Sequence, residues 1–135
     1  TEELIVYILK DVLGSLEIEY RGNKIDFTPP WKRISMYKAI EDAVGIRVDK
    51  ISPKDFNKVV KKYNLNIKGS INRGEIINEL FEKFIEPTLI QPTFVIDYPL
   101  ELSPLSKQKK DNPELVERFS LLFFFLYAPH STLLK

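Results

Sequence analysis

The 135 residues contain no cysteine and one histidine, His130. Without thiols there are no disulfides and no thiolate metal sites, which excludes a small secreted fold held by cross-links. His130 lies in the closing stretch and reads as a solvated bystander rather than a catalytic base. A glycine-rich phosphate loop, a nucleophile elbow and a metal-ligand cluster are all missing. An excess of either charge is missing too: 20 Lys and Arg face 19 Asp and Glu, a formal net charge of +1. No long-range field therefore draws nucleic acid or membrane to the chain, which leaves only local patches to do so. The opening TEELIVYILKDVLG carries acids where a signal peptide has bases. The closing apolar run, Leu121 to Tyr127, covers about 10 Å as a helix against about 30 Å of hydrocarbon. It does not span a membrane. What remains, 44% hydrophobic and 29% charged residues, is ordinary globular material sized for one domain or part of a larger one.

The pattern along the chain alternates helix and strand signals. TEELIVYILKDVLG places Leu4, Ile5, Ile8, Leu9, Val12 and Leu13 on one helical stripe, with Glu2 and Glu3 in the first turn and Gly14 as a stop. Leu16, Ile18 and Tyr20 alternate with Glu17, Glu19 and Arg21, and Ile25 and Phe27 resume the alternation after Gly22-Asn23. That predicts an antiparallel hairpin turning at Gly22-Asn23. Pro29-Pro30 breaks the pattern. A helix is expected from Met36 to a stop at Gly45. A second starts at Ser52 as N-cap, with Pro53 at the first helical position and Asp55 at the third. A third runs over roughly 73 to 85, with Pro87 ending it. Thr93 to Ile96 is a near-continuous run of β-formers, predicted to be a strand covered on both faces. A polar connection, SPLSKQKKDNPE, leads to LVERF, whose strand, beginning at Val116, the first tail residues can extend.

Several clusters are candidates for function. Lys58, Lys61 and Lys62 share a helix, and Lys107, Lys109 and Lys110 lie in the polar connection. Either set can touch phosphates, since lysine contacts give sequence-independent affinity, but an ordinary soluble surface is the favoured reading of both. Trp31 beside Lys32 and Arg33 fits a core anchor after the diproline better than a base-stacking platform. Glu79, Glu82 and Glu86 at helical spacing read as a solvated face.

Taken together, IDFTPPWKRISMYKAI, EPTLIQPTFVIDYPLELSPLSK and NPELVERF, preceded by TEELIVYILKDVLG and EIEYRGNKIDF, resemble the class II lysyl-tRNA synthetases over roughly residues 1 to 119. The diproline-Trp-Lys-Arg-Ile run sets it apart from the aspartyl and asparaginyl enzymes, which share the fold. The resemblance implies an α+β fold: part of the class II aminoacyl-tRNA synthetase antiparallel sheet, with flanking helices and a small helical insertion. The implied divisions are a catalytic-core helix and hairpin over 1–35, the insertion over 36–86, a core strand and connection over 87–119, and a divergent tail over 120–135.

The function implied is that of a partial lysine–tRNA ligase. The parent uses ATP and Mg2+ to form lysyl-adenylate and passes the lysyl group to tRNA(Lys), by positioning and electrostatic stabilisation of an in-line attack. The resemblance further implies a cytoplasmic homodimer with no membrane association. It places motif 1, the dimer interface, outside this chain, with motif 2 before Thr1 and motif 3 beyond the last residue. No catalytic, ATP-binding, lysine-binding or metal residue maps onto positions 1–135, so the chain by itself is expected to be inactive. In the alternative reading as a tRNA-binding module, Lys58, Lys61 and Lys62 are the candidate tRNA contacts. The competing readings are a shortened paralogue that binds tRNA or the full synthetase, and a fragment without function. The tail after Phe119 departs from the family, as a shifted reading frame or an early end would make it. Its bland alternative is a divergent buried strand.

Overall fold

The computed structural model describes residues 1–122. His130 and most of the Leu121–Tyr127 run lie outside the described residues. The opening amphipathic stretch forms α1, Glu2–Leu13, closed by Gly14 in the left-handed conformation that suits glycine. An antiparallel hairpin follows, β1 (Glu17–Tyr20) and β2 (Asn23–Asp26). Its turn sits at Arg21-Gly22, one residue earlier than expected, and both residues have positive φ (51° and 79°). Two positive φ values give the twist that a two-residue hairpin needs, so Arg21 accepts the left-handed position and Asn23 is free to pair with Tyr20.

Beyond the cis peptide between Pro29 and Pro30, β3 spans Lys32–Ser35, a strand the sequence pattern did not announce. Helix α2 (Met36–Val44) ends at left-handed Gly45, as expected. Ser52 and Pro53 do open a helical segment. It begins as a 3₁₀ turn over Pro53–Asp55, without a side-chain bond from Ser52, and becomes α-helical only at α3, Phe56–Lys62. Helix α4 runs Arg73–Phe84, with the Asn72 side chain accepting from the Glu75 N–H at its start. Strand β4 (Thr93–Ile96) is followed by the short antiparallel pair β5 (Tyr98–Pro99) and β6 (Leu115–Val116), and then β7 (Ser120–Leu122).

The sheet differs from the antiparallel expectation. Strand β3 lies parallel to β4, Arg33 opposite Phe94, while β7 is antiparallel to β4, Leu121 opposite Phe94. Parallel neighbours need a long crossover, and α2, α3 and α4 supply it. The fold is therefore α+β with small mixed and antiparallel sheets. Residues 120–122 do not prolong β6; they form a strand of their own on β4.

Strand β4 divides the interior, because successive strand residues face opposite ways. Val95 points into a helical core with Ile40, Ile77, Leu80, Phe81, Tyr98 and Val116. Phe94 points into a second cluster with Ile25, Phe27 and Trp31, against which Ile5, Val6 and Leu9 of α1 pack. Trp31 is thus a core anchor. Its indole N–H donates to the Phe27 carbonyl at 2.8 Å and its backbone N–H to the Glu2 carboxylate at 2.7 Å. Stacking on a nucleic-acid base is closed to it. Of the expected α1 stripe, Ile5 and Leu9 face inward with Val6, whereas Leu4, Ile8, Val12 and Leu13 are exposed.

Candidate functional site

The lysine-bearing helix α3 is short and is fixed from outside its own sequence. Its inner face sets Phe56, Val59, Val60 and Tyr63 against the helical core. The Tyr63 ring meets the edge of Phe84 with centroids 5.9 Å apart. Two cations of α4 hold its ends. Arg73 donates to the Val48 and Ile51 carbonyls at 2.9 and 2.7 Å and lies over the Phe56 ring. Lys83 donates to the Tyr63 and Asn64 carbonyls at 2.7 and 3.1 Å, which satisfies the helix C-terminus.

Anchored on that side, α3 turns Lys58, Lys61 and Lys62 outward, all three exposed. Lys54, four residues before Lys58, joins the same face. Among the described residues none of these four lysines takes part in an ion pair, and Lys62 lies over the Tyr63 ring. Four cations without carboxylate partners among the described residues thus share one exposed face. Lys54 was missed in the sequence because it stands in the 3₁₀ turn, but its spacing from Lys58 was the available signal.

The second basic cluster is different. Lys109 pairs with Asp97, and Lys107 with Glu117 at 3.3 Å. The Asp97 carboxylate holds the Lys109 ammonium above the usual lysine range, chiefly through their hydrogen bond. Only Lys110 remains unpaired among these three, so this loop neutralises itself and offers phosphates little.

The three glutamates are not simply a solvated face. Glu82 is exposed and accepts from the Asn78 amide at 3.2 Å. Glu79 and Glu86 are half-buried, and both are pushed above the ordinary carboxylate range, first by burial and then by Glu82. Among the described residues no group of three His, Cys, Asp or Glu side chains is placed to hold a metal ion.

A cleft of about 270 Å³, not marked by any sequence signal, lies between α2 and the loop before β6, lined by Tyr37, Glu41, Arg47, Asp49, Asn112 and Glu114. Burial, with help from Glu101 and Glu114, pushes the Tyr37 hydroxyl up to about 12, so it stays protonated at neutral pH. Arg47 is already paired with Asp49 at 3.1 Å. Among the described residues, no helix is long and apolar enough to cross a membrane.

Comparison with known proteins supplies the context. Residues 1–125 match the family described as tRNA synthetases class II (D, K and N). The chain is 47% identical over 125 residues to the lysine–tRNA ligase of Carboxydothermus hydrogenoformans, covering 92% of the chain and 26% of that protein. It is 42% identical over 119 residues to that of Moorella thermoacetica, 87% of the chain and 24% of the relative. With Thermoanaerobacter pseudethanolicus the identity is 43% over 125 residues, 92% of the chain and 25% of the relative. The chain thus spans about a quarter of the length of the curated relatives it matches. The family match runs to residue 125, six residues beyond Phe119, at or just beyond which the resemblance was expected to stop.

Proposed function

The chain belongs to the class II tRNA synthetases (D, K and N), and from that premise we propose that it is part of a lysine–tRNA ligase. The carrying observation is the 47% identity to a lysine–tRNA ligase across 92% of the chain. In this reading the parent enzyme activates lysine with ATP and transfers it to tRNA(Lys) in the cytoplasm, as a homodimer. Residues 1–35 and 87–119 are pieces of its catalytic core and 36–86 are a helical insertion, while the family match runs on through residue 125, so a divergent tail starts no earlier than residue 126. Among the described residues no three His, Cys, Asp or Glu side chains are grouped to hold the Mg2+ of that reaction. No step of the chemistry is assigned to these residues.

What this chain contributes is a tRNA contact. Lys58, Lys61 and Lys62, with Lys54 beside them, form an unpaired cationic face on a helix held by Arg73 and Lys83. Such contacts bind backbone phosphates by counterion release and are blind to sequence. No observation favours the stand-alone paralogue over this reading.

The test is a graft in which residues 1–125 replace the aligned 125 residues of the Carboxydothermus enzyme. Lysine-dependent ATP–pyrophosphate exchange is expected to survive the graft, and a folded graft without exchange overturns the assignment. Lys58→Glu, Lys61→Glu and Lys62→Glu together should weaken tRNA binding. The slope of log affinity against log salt should shrink by roughly 2 to 3, about one per lost phosphate contact. An unchanged slope removes the lysine face from the interface.

A further inference from the structure

Strand β3 is the outer strand of its sheet, whose order is β3, β4, β7 among the described residues. None of the backbone hydrogen bonds outside helices and strands involves Lys32, Arg33 or Ile34. The edge of β3 away from β4 is therefore unpaired, and an open edge is a template for another strand. A groove of about 450 Å³ runs along it, lined by all four residues of β3 and by none of β4. Arg33 lies over the Phe94 ring, 4.9 Å from its centroid, while Ile34 packs on the helical core. Residues of both strand faces thus line one groove, which only the edge permits. Its floor is apolar, with Ile34, Ala39, Ala43, Phe84, Ile85 and Leu89.

Two cations stand at one end of this edge. Among the described residues neither Lys32 nor Arg33 takes part in an ion pair, whereas Asp42 in the groove wall is held by Lys38 at 3.2 Å. Successive strand residues face opposite ways, so Lys32 shares the groove face with Ile34 and Arg33 takes the other. We propose that the edge accepts an extended acidic peptide of another protein as a further strand, antiparallel to β3. An apolar residue then stands opposite Ile34, and two consecutive acids stand opposite Arg33 and Lys32. Alternation carries one acid to each face, where one cation meets it. The backbone ladder supplies affinity, and the groove and the cations supply specificity. A second copy of this chain is the poorer occupant, since it would bring two more cations onto the same edge. The proposal goes beyond the reading as part of a ligase and does not depend on it.

The probe is a fluorescein-labelled peptide, Val-Thr-Val-Glu-Glu with an amidated end, and its anisotropy should rise on binding the 135-residue chain. Lys32→Glu should weaken binding about fivefold or more, from attraction turned to repulsion across the strands. Changing the last residue of the probe to lysine should restore binding to that variant. A probe N-methylated at every residue cannot form the ladder and should not bind. Absence of binding, binding by the N-methylated probe, or indifference to both charge changes overturns the proposal. Hydrogen exchange reads the edge directly. Amides of residues 32–35 that face away from β4 should gain protection when the probe is added, while α4 stays protected throughout and reports a folded chain. Protection of all of them without the probe means that the protein's own polypeptide covers the edge, which also overturns the proposal. The graft into the Carboxydothermus enzyme should bind the probe equally, and it carries the test however well the short chain folds. A graft that is active in lysine-dependent exchange but binds no probe overturns the proposal. One that binds the probe without exchange overturns only the ligase reading.

Discussion

Helices α1 and α4 are both 12 residues long, and they have opposite fates. Helix α4 buries Gly74, Ile76, Ile77, Leu80 and Phe81; α1 buries no residue at all. Yet α1 is the more apolar of the two, with EELIVYILKDVL against RGEIINELFEKF. Burial is therefore set by what stands opposite a helix and not by its composition. Opposite α4 stand α2, β4, β5 and β6, which close around it. Opposite α1 stands one hairpin with Trp31 and Phe94. Both sides of β4 are buried, one under a closed helical core and the other under a single layer whose outer helix, α1, keeps its far face exposed.

The largest effect should come from breaking the closed side. Phe81 is 2% exposed within α4, and Phe81→Ala should cost about 4 kcal/mol in urea unfolding, from lost transfer energy plus a cavity. A cost below about 1 kcal/mol would mean that the helical core does not govern stability. Trp31→Ala strikes the single-layer side and should cost about 3 kcal/mol. Its signature is regional: hydrogen-exchange protection should fall in α1 and the hairpin and persist in α4. Equal loss in α4 would show that β4 couples both sides into one cooperative unit.

Most elements were legible because their signals are local. Gly14 and Gly45 end helices where a left-handed residue is needed, Pro87 lies just beyond the end of α4, and the alternation from Leu16 to Tyr20 faces inward at every second residue. Strand β3 was not legible. Lys32 and Arg33 are exposed, and the strand exists because its backbone pairs with β4 some sixty residues on. The pairing is non-local, and four residues carry no periodicity of their own. The basic face on α3 was half legible. Spacing revealed Lys58, Lys61 and Lys62, but not that the Lys107 cluster would be neutralised by Asp97 and Glu117, since both carboxylates arrive by folding.

A smaller effect sharpens the comparison at the seam between α4 and the segment after β5. A Cβ added at Gly74 would lie 2.9 Å from the Glu101 Cβ, closer than such atoms approach. Gly74 is in regular helix, where alanine is otherwise preferred. Gly74→Ala should nevertheless cost about 1 to 2 kcal/mol, because the seam must part. A gain in stability would show instead that the 100–102 turn yields freely, which would make the closed side looser than its burial implies.

The smallest effect concerns Glu86, just past the end of α4. Burial and the neighbouring Glu82 push its carboxyl above the ordinary value of 4.5, and the negative end of the helix adds to the disfavour. Between that value and its raised folded value, the folded state holds more protons than the unfolded one. Stability must therefore fall as pH rises through this window. Glu86→Gln removes the charge and should raise stability at pH 7 by a few tenths of a kcal/mol, the scale of partly exposed charges. At pH 4 the gain should vanish, because the wild-type carboxyl is then protonated in the folded state. Urea unfolding at the two pH values separates the causes: an equal gain at both would trace the effect to packing of the amide. A gain confined to pH 7 would show that even the closed side of β4 carries an unrelieved charge at its rim.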